Sequence, residues 1–375
     1  MAPKTQIGLN KAVYLVPHVL DRAKVPTAPT RNGYGTGIVE AGKENSQVVV
    51  LCADLTESTR NLDFKNMFPE RFVQMGVSEQ SMASIAAGMS LVGKIPFIAS
   101  YAAFSPGRNW EQIRTTIALQ HSNVKIMGAH AGISVGPDGA THQMIEDLAI
   151  TRVIPNMQVI VPCDANETHK ATLEAARFDG PVYMRFGREK TPVFTTHRTP
   201  FEIGRIETFR FGTDATIVAT GYGVYEALLA ADSLAKDGYQ IEVLNCHTIK
   251  PFDYKALVAS VKKTGCVVTV EEAQAVGGLG GVVAEALGSY LPAPLERVGI
   301  QNRFGESGDA DILMDGFGLT APHITEAVKH VLKRKQGKRV PDEPAYVREA
   351  RMHLSDLRAE SMKKALAHVP KKWKS

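Results

Sequence analysis

The chain has 375 residues, 44% hydrophobic and 22% charged, with 32 Gly and 20 Pro. This excludes disordered and collagen-like proteins and leaves room for two or three domains. No apolar run approaches the roughly 18 residues of a membrane span, no signal-peptide core opens the chain, and Cys52, Cys163, Cys246 and Cys266 lie too far apart for a zinc motif. A cytoplasmic protein with reduced thiols and no membrane partner is expected. The net charge of +4 is uneven: from Val331 to Ser375 thirteen Lys/Arg face five Asp/Glu, so a tail of +8 follows a body of −4. Those charges lack the aromatic interleaving of a single-strand binder, so no nucleic-acid partner is expected.

Residues 1–27 show no strong period and read as an N-terminal arm. From about Pro29 short apolar runs alternate with helical periods. Strands are predicted at 48–52 (VVVLC), 96–100, 125–129, 159–162 and 182–186, and helices at 79–91, 110–120, 143–150 and 166–177. This alternation predicts a parallel α/β sheet over a first domain, 28–190. Periodicity fades over 191–212, which reads as a linker, and resumes over a second, smaller domain, 213–336. Strands are predicted there at 216–221, 241–245 and 266–272, with helices at 224–236, 253–262, 281–289 and 322–334. The basic tail, 337–375, carries an amphipathic helix predicted from Tyr346 to His368, with Leu354, Leu357 and Met362 partly on one face. The fold class expected is α/β, two doubly wound domains with mostly parallel sheets and a helical C-terminal tail.

Three constellations carry chemistry. In GVSEQSMASIAAGMSLVG (76–93), Ser78 is placed to cap a helix and Glu79 falls in its first turn. Glu79 is either a carboxylate serving the helix dipole or a site acid where ligands of open α/β sheets gather. In HAGISVGPDGATHQMIED (130–147), His130, Asp138 and His142 share a Gly-rich loop, which favours polar chemistry on a substrate. Arg185 and Arg188 of RFGREK, with Arg31 and Ser58, either form an anion cradle or make surface ion pairs. The run GGLGGVVAEAL (277–287) lacks the spacing of a dinucleotide fingerprint and reads as close helix-to-strand packing.

With CADLTES, GVSEQ, ASYAAF, GPDGATHQ, IPNMQVIVPCDANE and GPVYMRFGR in that order, the chain resembles the C-terminal half of transketolase over roughly residues 28–335. The resemblance implies the thiamine diphosphate-binding fold, with a pyrimidine-binding domain followed by the transketolase C-terminal domain. It implies that Glu79 hydrogen-bonds the aminopyrimidine of thiamine diphosphate, that Tyr101, Phe104 and Trp110 line its pocket, and that Asp54 lies near the thiazolium. His130 and His142 would bind substrate hydroxyls and move protons, and Asp138 would recognise the acceptor's C2 hydroxyl. Arg31, Ser58 and Arg188 would clamp the sugar phosphate, whereas Arg185 is either part of that clamp or structural.

The family holds Mg²⁺ and the diphosphate with a GDG…N motif that this sequence lacks. Beginning with its own Met1 where the pyrimidine-binding half begins, the chain is expected to be one subunit of a split transketolase, inactive alone. An N-terminal transketolase subunit would supply the diphosphate-binding domain and most of the Mg²⁺ ligands. A two-plus-two heterotetramer is expected, self-associating through the pyrimidine-binding and C-terminal domains. The reaction implied is transfer of a two-carbon ketol unit between sugar phosphates. Alternatives are a subunit like 1-deoxy-D-xylulose-5-phosphate synthase or like the beta chain of 2-oxoacid dehydrogenases, or a noncatalytic subunit of the same fold. The second domain offers no residue for chemistry and reads as a packing and dimerisation module.

Overall fold

The computed structural model describes residues 6–338, together with Pro344 and Val347; apart from Val347, the tail helix expected from Tyr346 to His368 lies outside them. The arm contributes β1 (Gly8–Leu9). The first domain opens with β2 (Thr27–Pro29), α1 (Thr30–Glu44), β3 (Val48–Cys52), α2 (Leu62–Met67), β4 (Phe72–Gln74) and α3 (Glu79–Leu91). It continues with β5 (Ile95–Tyr101), α4 (Trp110–Gln112), β6 (Lys125–Ala129), α5 (Asp147–Arg152), β7 (Gln158–Ile160), α6 (Ala165–Arg177), β8 (Val182–Phe186) and β9 (Lys190–Pro192). The second domain begins with β10 (Glu207–Phe211), β11 (Ala215–Ala219), α7 (Gly223–Lys236), β12 (Ile241–Asn245), β13 (Thr248–Lys250) and α8 (Tyr254–Thr264). It ends with β14 (Val267–Gln274), α9 (Leu279–Tyr290), β15 (Leu295–Ile300), α10 (Ala310–Gly316) and α11 (Ala321–Lys335).

The chain thus forms two α/β domains with mostly parallel sheets. The first sheet runs β13-β7-β8-β6-β5-β3-β4 and the second β1-β10-β12-β11-β14-β15. Strands β3, β6, β8, β11 and β12 are buried along their whole length. That is the pattern of parallel strands covered by helices on both faces, and it explains the predominantly apolar runs, into which Lys125, Arg185 and Glu242 are set as buried charges. The two sheets exchange edges: β13, from the second domain, pairs antiparallel with β7, and the arm's β1 pairs antiparallel with β10. At the start of α6, Asp164 caps the helix through the Glu167 amide at 2.9 Å and also accepts from the Phe194 and Thr195 amides. Glu167 in turn accepts from Asn245 of β12 at 2.7 Å, so one buried carboxylate pair ties both domains to the connecting segment.

Several local expectations change. Periodicity fades over 191–212, yet β10 lies inside that stretch; adjacent Phe209 and Arg210 are buried and Glu207, Thr208 and Phe211 only half-buried, so the strand neither alternates nor runs continuously apolar. Thr30–Glu44 is helical despite four glycines, since α1 packs tightly on α6: a Cβ on Gly33 would lie 2.0 Å from the Ala165 carbonyl oxygen. The helix read at 110–120 is α4 followed by a π-helical turn over Ile113–Ala118, and the one read at 143–150 starts only at Asp147. Ser78 does not cap α3; its hydroxyl donates to the Met75 carbonyl at 2.5 Å. At GGLGG, the Glu271 carboxylate accepts from the Leu279 and Gly280 amides, both at 2.7 Å, so a buried side chain fills the α9 N-terminus where a dinucleotide phosphate would sit.

Candidate active site

The first sheet changes winding direction between β3, which is followed by β4 on one side, and β5, which leads to β6 and β8 on the other. Ligands of such sheets bind outside the carboxyl ends of the strands at that point. Tyr101 ends β5, His130 follows β6 directly, and Arg188 lies two residues past β8. Arg31 reaches the same place from the first turn of α1. Distant sequence positions therefore meet because parallel strands end on one edge.

At the centre, the His130 ring stacks on Tyr101 with 3.9 Å between centroids. Phe104 lies parallel to Tyr101 at 6.0 Å, and His142 meets Phe104 edge-on at 5.4 Å and Tyr101 at 6.1 Å. Arg31 brings Nη1 to 3.4 Å from His130 Nε2 and donates to the Ser58 carbonyl at 2.9 Å. His130 is 1% exposed, and its Nδ1 is buried without a partner. Burial first, then Arg31, Arg188, Arg60 and His142, push its pKa down to about 3, so the ring stays neutral at physiological pH. Arg31 is lowered from its ordinary value too, by burial and then by Arg60 and Arg188. Three guanidinium groups thus converge where His130 is held uncharged, an arrangement suited to an anion beside a hydroxyl.

The loop after β6 supplies the rest. Asp138 is bound to Arg188 at 2.9 Å, and Arg188 also pairs with Glu189 at 3.3 Å. Ser58 contributes its carbonyl to the cluster, through Arg31. Asp54, with φ at 56°, sits exposed beyond β3 and is held by Gln74, whose side chain accepts from the Asp54 amide at 3.0 Å. Glu79 is 2% exposed in the first turn of α3. Its carboxylate meets Arg108 at 3.4 Å, and Asn109 donates to its main-chain oxygen at 3.0 Å. One loop, Ala102–Asn109, therefore carries Phe104 at the ring cluster and Arg108 at Glu79.

Two candidates stand elsewhere. Trp110 packs into the core, and its indole donates to the Ile150 carbonyl at 2.7 Å, so it takes no part in the ring cluster. Arg185 is buried in a structural network: it pairs with Asp147 at 3.2 Å and donates to the Glu272 main-chain oxygen at 2.6 Å. Arg60, Arg108, Asn109 and Gln143 escaped the sequence reading. Arg60 directly follows the CADLTEST run and Gln143 directly follows His142, but side-chain direction in a loop has no period to betray it.

The pyrimidine-binding domain family of transketolase matches residues 27–193, and the transketolase C-terminal domain family matches residues 204–324. A Methanocaldococcus jannaschii protein described as a transketolase C-terminal section is 44% identical over 308 residues, covering 81% of this chain and 96% of the relative. A 6-deoxy-6-sulfo-D-fructose transketolase subunit of Clostridium sp. is 41% identical over 305 residues, with 81% and 95% covered. Among solved structures, a split gene transketolase, described as an inactive beta4 tetramer, superposes with a TM-score of 0.77 at 46% identity, covering 82% of this chain and 99% of its own. The chain belongs to the split transketolase family, of which it carries the pyrimidine-binding and C-terminal domains.

Proposed function

We propose that this chain is one subunit of a thiamine diphosphate-dependent split transketolase, moving a two-carbon ketol unit from a ketose phosphate to an aldose phosphate. The observation that carries this reading is a neutral, buried His130 stacked on Tyr101 and flanked by Arg31, with Glu79 buried in the first turn of α3. Glu79 fits an aminopyrimidine partner: among the described residues its carboxylate meets one side chain, that of the exposed Arg108. Tyr101 and Phe104 offer parallel faces to a heteroaromatic ring. Thiamine diphosphate, when bound, supplies the nucleophilic carbon and the electron sink for carbon–carbon cleavage.

The chain's own residues do the remaining work. Glu79 would hydrogen-bond the pyrimidine, and Asp54 would lie towards the thiazolium. Neutral His130 exchanges hydrogen bonds with a substrate hydroxyl, and half-buried His142 moves a proton beside it. Arg31 and Arg188 bind the phosphate, and Asp138, already on Arg188, orients the acceptor hydroxyl. No group of three His, Cys, Asp or Glu among the described residues is placed for a metal ion. The resemblance, with relatives described as a transketolase C-terminal section and a transketolase subunit, supports assigning Mg²⁺ and the diphosphate to a partner subunit in a two-plus-two assembly.

Reconstitution tests the proposal. This chain is mixed with the diphosphate-binding subunit, thiamine diphosphate and Mg²⁺, then offered xylulose 5-phosphate with ribose 5-phosphate. Sedoheptulose 7-phosphate formed only with both chains present supports it. Pyruvate decarboxylation by a folded complex that transfers no ketol unit would overturn it.

A further inference from the structure

The second domain lacks an obvious chemical residue, yet it grips the loop that carries His130, Asp138 and His142 at several points. Gln143 is 3% exposed, and its Nε2 is shared among the carbonyl oxygens of Ile133 at 3.1 Å, Gly136 at 3.1 Å and, across the domain boundary, Glu306 at 2.8 Å. Three acceptors around one nitrogen fix the amide's orientation, since a flipped side chain would put oxygen against oxygen. Its Oε1 is buried without a partner and lies against Gly305, where an added Cβ would come within 1.7 Å of it.

On the other side of the loop, Glu272 of β14 accepts from the Ser134 amide at 2.7 Å. A Cβ on Gly132 would lie 2.1 Å from the same carboxylate oxygen, so backbone and carboxylate are in direct contact there. The Gln274 amide donates to the Ile145 carbonyl at 2.9 Å, continuing the seam. A Cβ on Gly139 would meet Ser307 Oγ at 2.4 Å. His130 and His142 thus stand at the two ends of a segment whose middle is seated on another domain.

We propose that the second domain sets the position of the His130–His142 loop, with Gln143 and Glu272 as positioning residues for the substrate-facing histidines. This rests on reading those histidines as substrate-facing, but the grip itself is measurable without turnover. Loops joined to their surroundings by a few buried hydrogen bonds open locally when those bonds are removed. A shift of the histidines by about 1 Å would be enough to cost a large part of the rate.

The test uses the full chain and compares Gln143→Ala, Gly305→Ala, Glu272→Ala and Glu272→Gln by hydrogen exchange over residues 130–146. The first three should raise exchange there by about tenfold or more while β5 and β6 keep wild-type protection. Glu272→Gln, which retains an acceptor for Ser134, should stay within about twofold. Gly305→Ala reaches the contact from the other domain and so separates the grip from any folding defect in the loop variants. With the partner subunit, KM for the sugar phosphate should rise by about tenfold together with a fall in kcat. Wild-type loop protection in Gln143→Ala and Gly305→Ala would overturn the proposal, and so would a lower kcat at unchanged KM, the mark of fewer folded molecules. Should the wild-type assembly transfer no ketol unit, the transketolase reading fails, and loop exchange alone decides whether the domain grip is real.

Discussion

Around His130 the chain completes its own surroundings, whereas around Glu79 it leaves them open. His130 has a ring on its face, an arginine at its nitrogen and a loop seated on the second domain. Glu79 is just as buried, but among the described residues the one side chain on its carboxylate, Arg108, is 59% exposed, and Val77, two residues earlier, faces solvent. A group that must be held neutral and oriented gains from dense, preformed packing, because the low-dielectric surroundings do the holding. If Glu79 serves an incoming ligand as proposed, its own chain cannot seal it without excluding that ligand. Under the proposed function, the closed region around His130 would face substrate and the open region around Glu79 would face a cofactor completed by another chain.

The largest effect expected on the open side is Glu79→Ala. In the reconstituted assembly it should lower ketol transfer by about 10²–10⁴-fold while circular dichroism and thermal unfolding of the chain alone stay near wild type. Turnover at the wild-type rate would remove Glu79 from the chemistry. On the closed side, His142→Ala should reduce kcat by about 10²-fold, read in the same assay, and the loss should persist at saturating substrate.

Arg31→Ala sharpens the comparison through two readouts. KM for a phosphorylated sugar should rise by about tenfold, with little change for a sugar lacking the phosphate. His130, now short of its nearest cation, should titrate at a higher pH than in the wild type yet still below the ordinary histidine range, because burial is the first cause of its depression. Histidine ring resonances followed by NMR would show it; an unchanged titration would mean that burial alone governs the ring.

Acid sensitivity gives a smaller effect, away from the site. His247 is fully buried against Phe201, and burial pushes its pKa down to about 3. The folded state therefore holds it neutral while the unfolded chain protonates below pH ~6.5, so its contribution to stability is lost as pH falls from there towards 3. Glu167 and Glu271, raised to about 7 mainly by burial, slope the other way, losing stability as pH rises from the ordinary carboxylate range towards 7. The clean measurement is thus a difference: His247→Gln should gain on the wild type by about 1.4 kcal/mol for each pH unit below 6.5, followed by denaturant unfolding. Parallel curves would mean the ring is already charged in the folded state. Smallest of all, Arg108→Ala should change the stability of the chain alone by less than about 1 kcal/mol, since the pair it breaks is largely exposed on the arginine side. A larger loss would mean that the surroundings of Glu79 are closed after all.

Much of this was written in the sequence. The buried parallel strand 48–52 is apolar from end to end, strand 182–186 is apolar but for Arg185, and helices such as 79–91 and 166–177 keep a local period. Glu79, His130, Asp138, His142 and Arg31 stand out by residue type near predicted strand ends, and the family resemblance implies roles that spacing alone leaves open against helix-dipole or ion-pair uses. What the sequence could not decide was direction. Trp110 turns to Ile150, Arg185 turns inward to Asp147, and Asp138 pairs with Arg188 fifty residues away. Arg108 meets Glu79, and the second domain seats the loop of the first. Each outcome depends on which surfaces the two sheets bring together. Local spacing shows which residue types share a loop or a strand end, but contacts between distant segments exist only once the sheets are assembled, and those contacts set which way a loop side chain points and whether its charge is buried or free.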